Sequence, residues 1–341
     1  MQEEHPYVRG AAARWRDLCL RSSRMLSKLG FVASVLSEGI STSRTCRLSN
    51  ATPLRLRELI EANLDALDRV LTFLERHEIL LYRITSNLIP FASHPVNSIR
   101  WWEVHAAQLA ALGRRIAALG VRVSLHPGQY TVLNSPTPQV VAASLAELRY
   151  HAQLLHALDT GPEAKIVLHV GGLYGGSEEA AMERFCAVAS ELPEELRQRL
   201  VVENDDRLFD AEEALAVARR IGVPVVFDWL HHNANRCRTP LDEVLPAIFE
   251  TWTTKDGPPK VHLSSQAGDG PVGAHADFVD PADALAFFAV TPPQPFDCML
   301  EAKEKDRALL RLRAELRTRG VTEAALRDAR ASSAARARRA L

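Results

Sequence analysis

The sequence predicts a single-domain (β/α)8 barrel of the TIM type, an α/β fold, and three observations carry that expectation. Short apolar runs suited to buried parallel strands alternate with longer stretches of helical period, and no second block of strands follows. Eight such units are present, the number that closes a parallel sheet into a barrel. Six of the runs end on a histidine, a glutamate or an aspartate, so polar groups gather where strands pass into their following loops.

Taken in order, residues 1–27 carry Arg9, Arg14, Arg16, Arg21 and Arg24 without strand patterning. They read as an N-terminal extension with one helical segment around Ala11–Leu26. The barrel domain is expected over 28–318. Its first strand is Leu29–Leu36, and the Ser- and Thr-rich stretch Ser37–Ala51 is a loop. Thr52-Pro53 supplies a cap and a first-turn proline for a helix to Arg76, with Leu56, Leu59, Ile60, Leu64 and Leu67 on one stripe. Strand two is Leu80–Ile84, and the helix Ile99–Leu119 ends on Gly120. Strand three, from Val121, closes on His126 and breaks at Pro127-Gly128, a forced turn. Thr137-Pro138 opens the next helix. Strands four to eight follow as Lys165–Val170, Leu200–Glu203, Val223–Asp228, Lys260–Leu263 and Asp297–Leu300. Between and after them lie helices Glu178–Leu192, Ala211–Ile221, Pro240–Trp252, Pro281–Phe288 and Glu301–Leu316. Residues 319–341 form a basic tail rich in Ala and Arg, read as solvated, with an auxiliary phosphate contact as the alternative.

Composition narrows the classes. A net charge of −1 makes no global case for nucleic acid, and no apolar run is long enough to span a membrane. The five cysteines are scattered without a C-x-x-C pair, which argues for a reducing compartment and against a thiolate zinc site. A cytoplasmic protein without a secretory signal is expected. The glycine pairs 171–172 and 175–176 lack dinucleotide or phosphate-loop spacing, which excludes those classes.

Barrels of this kind carry their chemistry at the C-terminal strand ends. The residues found there are His126, His169, Glu203, Asp228, His262 and Glu301, with His94, His231 and His275 in the loops just beyond. Imidazoles plus carboxylates without thiolates suit Zn²⁺, Mn²⁺ or Fe²⁺. Three carboxylates exceed the needs of one tetrahedral ion, so one of them is expected to bridge, and Glu203 is central in strand order. A multi-ion cluster can hold a phosphoryl oxygen, acidify a water and neutralise a leaving oxygen. A lone strand-end histidine would more simply be a hydrogen-bonded core residue, but six buried charged ends without partners would each cost several kcal/mol. Lys260 shares a face with His262. It needs either a salt bridge to Glu203 or Glu301, or a lysine tuned or chemically modified to serve the metals. His5, His77, His105, His151 and His156 fall in the extension or on helices and read as surface residues.

The motifs LYRITSNLIPFASHP, SLHPGQYTVLNSP, LHVGG, VENDD, FDWLHHN, KVHLSS, HADF and MLEAKEKD, with STSRTCRL in the first loop, resemble those of the UV damage endonuclease family in the family's own order. The resemblance spans about residues 29 to 310. It implies a barrel related to the endonuclease IV type of apurinic-site nuclease. The cofactor it implies is a cluster of two or three divalent ions, manganese first and Zn²⁺ or Mg²⁺ as alternatives. The implied activity is incision of UV-damaged duplex DNA immediately 5′ to pyrimidine dimers and 6-4 photoproducts, leaving a 3′-hydroxyl and a 5′-phosphate. It assigns His126, His169, Glu203, Asp228, His231, His262, His275 and Glu301 to metals, and places His94 and Lys260 at the reaction centre beside Glu203. Gln129 and Tyr130 are implied to probe the lesion, which fits a polar and an aromatic side chain on a tight turn that can wedge into a weakened stack.

Phe31, in LGFV, stands where the family usually has a tyrosine and is expected to stack on DNA without a hydroxyl contact. Arg44, Arg47, Arg83, Arg236 and Arg238, in or near strand-end loops, are candidate phosphate contacts. A nucleoid-associated monomer would suit an enzyme that wraps a bent duplex. The rivals are a sugar isomerase or epimerase on the same barrel and a non-catalytic binder of damaged DNA.

Overall fold

The computed structural model describes residues 25–324. Eight parallel strands close into a barrel in sequence order. They are β1 (Leu26–Val32), β2 (Leu81–Arg83), β3 (Arg122–Leu125), β4 (Lys165–His169), β5 (Leu200–Glu203), β6 (Val225–Asp228), β7 (Lys260–Leu263) and β8 (Phe296–Leu300). The seam is β1 against β8, with Gly30 opposite Met299. The helical segment expected near Ala11–Leu26 and most of the basic tail lie outside the described residues.

Local chemistry sets the helix ends. Thr52 accepts a bond from Arg55 N at 3.2 Å at the start of the helix Pro53–Arg76, and Gly120, at φ 65°, ends Ala106–Leu119. Asp210 and Glu213 form a reciprocal capping box on Ala211–Ile221. Several boundaries differ from expectation. The first strand begins at Leu26, because Leu26–Gly30 pair with β8 despite the polar Ser27 and Lys28. The helix expected from Glu301 begins at Lys305, because Lys303 N and Glu304 N bond to Ala276 O and Asp277 O instead. The short helix Trp229–Ala234 was not foreseen, and the longer one expected over Ile99–Leu119 breaks at His105.

Alternation along the strands divides the barrel interior into levels. Uppermost are Arg83, His169, Glu203, Asp228 and His262, with His126 and Glu301 just beyond their strands. Two residues earlier lie Ser124, Val167, Val201, Val226, Lys260 and Met299. Val167, Val201 and Val226 form, with Trp252, an apolar cluster separate from the strand–helix core. A further step down are Arg122, Lys165 and Asp297.

That lowest level is closed by its own bonds. Arg122 pairs with Asp297 at 2.8 Å and donates to the carbonyls of Pro258, Asp256 and Glu163, with its guanidinium 5.3 Å from the Trp252 ring centroid. Lys165 pairs with Asp256 at 2.5 Å and donates to Gln198 O. Asp297 keeps one oxygen without a hydrogen-bond partner. Its neighbour across the β7–β8 ladder is Lys260, whose Nζ is likewise unpartnered.

Phe31 does not reach a DNA-facing surface. It is fully buried, edge-on to Phe73 and to its register partner Tyr82, so it points outward from the barrel into the helix layer. An aromatic ring is selected there by packing rather than by stacking on a base. His151 is also buried, not a surface residue. Its Nδ1 donates to Glu147 O at 2.7 Å, and burial lowers its pKa to about 4.

Candidate metal centre

Glu203, fully buried at the end of β5, is the hub of the upper level. Its Oε2 lies 3.0 Å from His126 Nε2 and 3.4 Å from His169 Nε2. Its Oε1 lies 2.5 Å from His262 Nδ1 and 3.9 Å from His231 Nδ1. Two ligand groups result, His126–His169–Glu203 and Glu203–Asp228–His262, each with its donor atoms within 4.8 Å of one another. Glu203 belongs to both, which is the arrangement a bridging carboxylate requires. Glu301 adjoins the second group, 3.1 Å from His262 Nδ1.

The donor set suits divalent cations on three counts. Three histidines donate Nδ1–H to backbone carbonyls: His126 to Pro127 O at 3.1 Å, His231 to Asn204 O at 2.9 Å and His275 to Glu301 O at 2.5 Å. Each of these rings is thereby fixed in the tautomer that keeps the Nε2 lone pair for a ligand. Asp228 uses Oδ1 to cap Trp229–Ala234 through His231 N at 2.7 Å, and its buried Oδ2 has no partner. Electrostatics agree. Burial would lower the His231 pKa, but Asp228, Glu203 and Glu301 together push it up to about 9. Burial would raise Glu203, but His262, His169 and His126 hold it well below the usual carboxylate range. Glu203 therefore stays anionic despite its burial, the charge state in which a carboxylate ligates a divalent cation.

Arg83 corrects one expectation. It is an interior residue of β2 rather than a phosphate contact at the mouth. It ion-pairs with Glu301, donates to His262 Nε2 at 2.7 Å, and helps Glu301 stay ionised against its burial. Lys260 corrects another. It forms no salt bridge to Glu203 or Glu301, which leaves the tuned or modified lysine of the two alternatives. Burial together with Arg122 and Arg83 sets its pKa well below the usual lysine range. It starts one level under His262 on the same strand, with its Nζ buried and unpartnered. His94 stays outside the cluster, exposed after β2, with its ring 6.1 Å from Phe91 and Nδ1 accepting from Val96 N.

The other expected residues lie around the rim. Gln129 and Tyr130 are exposed on the turn beyond His126. The Tyr130 ring lies against Gly128, where a Cβ would come within 2.5 Å of it. Arg44 and Arg47 are exposed on the loop after β1, although Arg44 also donates to Ser41 O at 2.7 Å, and Arg236 and Arg238 are exposed after β6.

Asn204 was missed. It accepts from Asp228 N at 2.9 Å and donates to Asp228 O, holding that ligand in place. Its position directly after a strand-end ligand was the signal. Glu147 was also missed; it accepts from the Ser93 hydroxyl, beside His94. The turn Pro127–Gln129 lines two cavities that both reach His126. One of 370 Å³ runs toward His169, Tyr174 and His231, and one of 380 Å³ runs toward Arg83, Asn87 and Tyr130.

The family model described as UV-endonuclease UvdE matches residues 27–328. A UV DNA damage endonuclease of Bacillus cereus (strain G9842) is 37% identical over 264 residues, covering 77% of this chain and 83% of the relative. The crystal structure of SacUVDE matches with a TM-score of 0.80 at 34% identity, over 86% of this chain and 98% of that one. L-ribulose 3-epimerase matches with a TM-score of 0.50 at 17% identity, over 85% of this chain and 86% of the other, a likeness in fold alone.

Proposed function

The chain belongs to the UV-endonuclease UvdE family, and from that premise we propose that it incises duplex DNA at the phosphate immediately 5′ to a UV photoproduct, leaving a 3′-hydroxyl and a 5′-phosphate. The observation that carries this reading is Glu203, shared by two ligand groups drawn from separate strands. His126, His169, Asp228, His231, His262, His275 and Glu301 would hold divalent ions with it, manganese first. Bound there, such ions supply Lewis acidity at a phosphoryl oxygen and lower the pKa of a water.

The protein's own part is positioning. Asn204 fixes Asp228, backbone carbonyls fix three imidazoles, and Arg83 keeps Glu301 charged. Lys260 supports this layer from beneath. To His94, exposed on the rim outside the cluster, this reading gives a role at the scissile phosphate. Gln129 and Tyr130 enter the helix where a lesion has weakened stacking, a displacement that costs a few kcal/mol and least at damaged steps. Arg44, Arg47, Arg236 and Arg238 hold the flanking phosphates.

The test is a labelled duplex with one pyrimidine dimer, incubated with the protein and Mn²⁺. A single nick 5′ to the dimer, extendable by a polymerase, is expected. Glu203→Gln should slow nicking on the order of 10³-fold while retaining binding. No nick, with turnover of an aldose instead, would sink the reading.

A further inference from the structure

One exposed aromatic of the upper face has no part in the account above. Tyr174, in the loop after β4, is 47% exposed. It repeats the arrangement of Tyr130 one strand further round the barrel. Each follows a strand-end histidine, and each lies against a glycine two residues upstream: Tyr130 over Gly128, and Tyr174 over Gly172, where a Cβ would come within 3.3 Å of the ring. The turn between His126 and Tyr130 separates two cavities, and each cavity is lined by one of these tyrosines. The Tyr174 cavity has His126, His169, His231 and Arg207 in its wall.

The loop is held in this form at a local cost. Tyr174 has φ 55°, a left-handed conformation uncommon for an aromatic residue, between Gly171 at φ 112° and Gly175 at φ 76°. It is also tied to the neighbouring turn. Asn134 donates to Gly172 O at 2.8 Å, while Arg184 donates to Asn134 O at 2.7 Å and to Leu173 O at 3.2 Å. The backbone that carries Tyr174 is therefore anchored to the segment that follows Tyr130. The ring packs on its own loop at Gly172 and leaves about half of its surface open to the cavity side of the barrel mouth.

Resting on the endonuclease reading, we propose that Tyr174 is a second stacking residue. It takes the face of a pyrimidine base displaced from the duplex into the cavity beside the metal ligands, while Tyr130 and Gln129 fill the gap left behind. A cavity of 370 Å³ lies in the range that holds small organic ligands. Aromatic rings bind nucleobases through stacking that needs no sequence-specific hydrogen bonds.

The experiment compares wild type, Tyr174→Phe and Tyr174→Gly for binding and nicking of a dimer-containing duplex and its undamaged twin. Glycine removes the ring and adopts φ 55° without strain, so this variant should melt no lower than wild type. It should nevertheless bind the damaged duplex about tenfold or more weakly, with a smaller change on undamaged DNA. Tyr174→Phe should stay within about twofold of wild type, since it keeps the ring. Unchanged affinity in Tyr174→Gly, equal losses on both duplexes, or an equal loss in Tyr174→Phe would each overturn the assignment. If wild type binds damage without nicking it, the endonuclease reading fails while the binding comparison still decides Tyr174. If wild type does neither, both fall.

Discussion

At the lower end of the barrel Arg122 divides its guanidinium among three carbonyls and the Asp297 carboxylate, and Lys165 closes on Asp256 and Gln198 O. At the upper end Glu203, Asp228 and Glu301 face five histidines and one arginine, and Asp228 Oδ2 has no hydrogen-bond partner. Both ends bury charge inside the same eight strands. Below, the chain supplies both signs and the network is nearly complete. Above, it supplies an excess of acceptors, with carbonyls arranged to orient the imidazoles. A complete network holds structure, whereas one that lacks positive charge is built to receive it. The Val167, Val201 and Val226 layer on one side of the barrel keeps the two apart.

Substitution at the lower end should separate the two roles most sharply. Arg122→Ala strands the Asp297 carboxylate and should destabilise the fold by about 3–5 kcal/mol, read by denaturant unfolding. Nicking per folded molecule should be unchanged well below the transition. A variant that kept its stability but lost activity would show that the lower network serves the chemistry directly.

Cations should act on the upper end alone. Mn²⁺ at about a hundred times its dissociation constant should stabilise wild type by roughly 2.7 kcal/mol, and a chelator should reverse the gain. Glu203→Gln should lose most of that gain, while Arg122→Ala should keep it. An equal thermal shift in Glu203→Gln would place the ions elsewhere.

The smallest effect belongs to Glu147, a buried carboxylate that sits at neither end. Burial raises its pKa, with the Ser93 hydrogen bond working in the opposite direction. A carboxyl raised in the folded state contributes its full stability below the unfolded value and loses it as pH rises through the folded value. Glu147→Gln should therefore match wild type near pH 4 and exceed it at neutral pH by at most about 1 kcal/mol. A gain that grew as pH fell would mean that the charged form is favoured by a partner.

Much of this could be read from the residues. Parallel strands buried on both faces appear as apolar runs, so β4 to β8 and the ligands ending them stood out. Thr52-Pro53 and Gly120 marked helix ends for reasons local to the chain. Phe31, Arg83 and His151 were misplaced for a common reason. Periodicity tells which residues share a face but not what the opposite element supplies. Phe31 meets Phe73 from a helix, and Arg83 meets Glu301 from the far side of the barrel. His151 lies under the loop that carries Ser93, through its neighbour Glu147. Lys260 was placed correctly on its strand, yet of its two expected partners Glu301 pairs with Arg83, a long-range contact that no local pattern encodes.

The spread of the ligand strands has a consequence during synthesis. The proposed centre draws on residues from 126 to 301, and β8 closes the barrel against β1, some 260 residues earlier in the chain. A nascent chain emerging in order holds only scattered imidazoles and carboxylates until its final strand arrives. Hydrolytic capacity would then switch on at ring closure and not before, so a stalled or truncated translation product would leave the genome uncut.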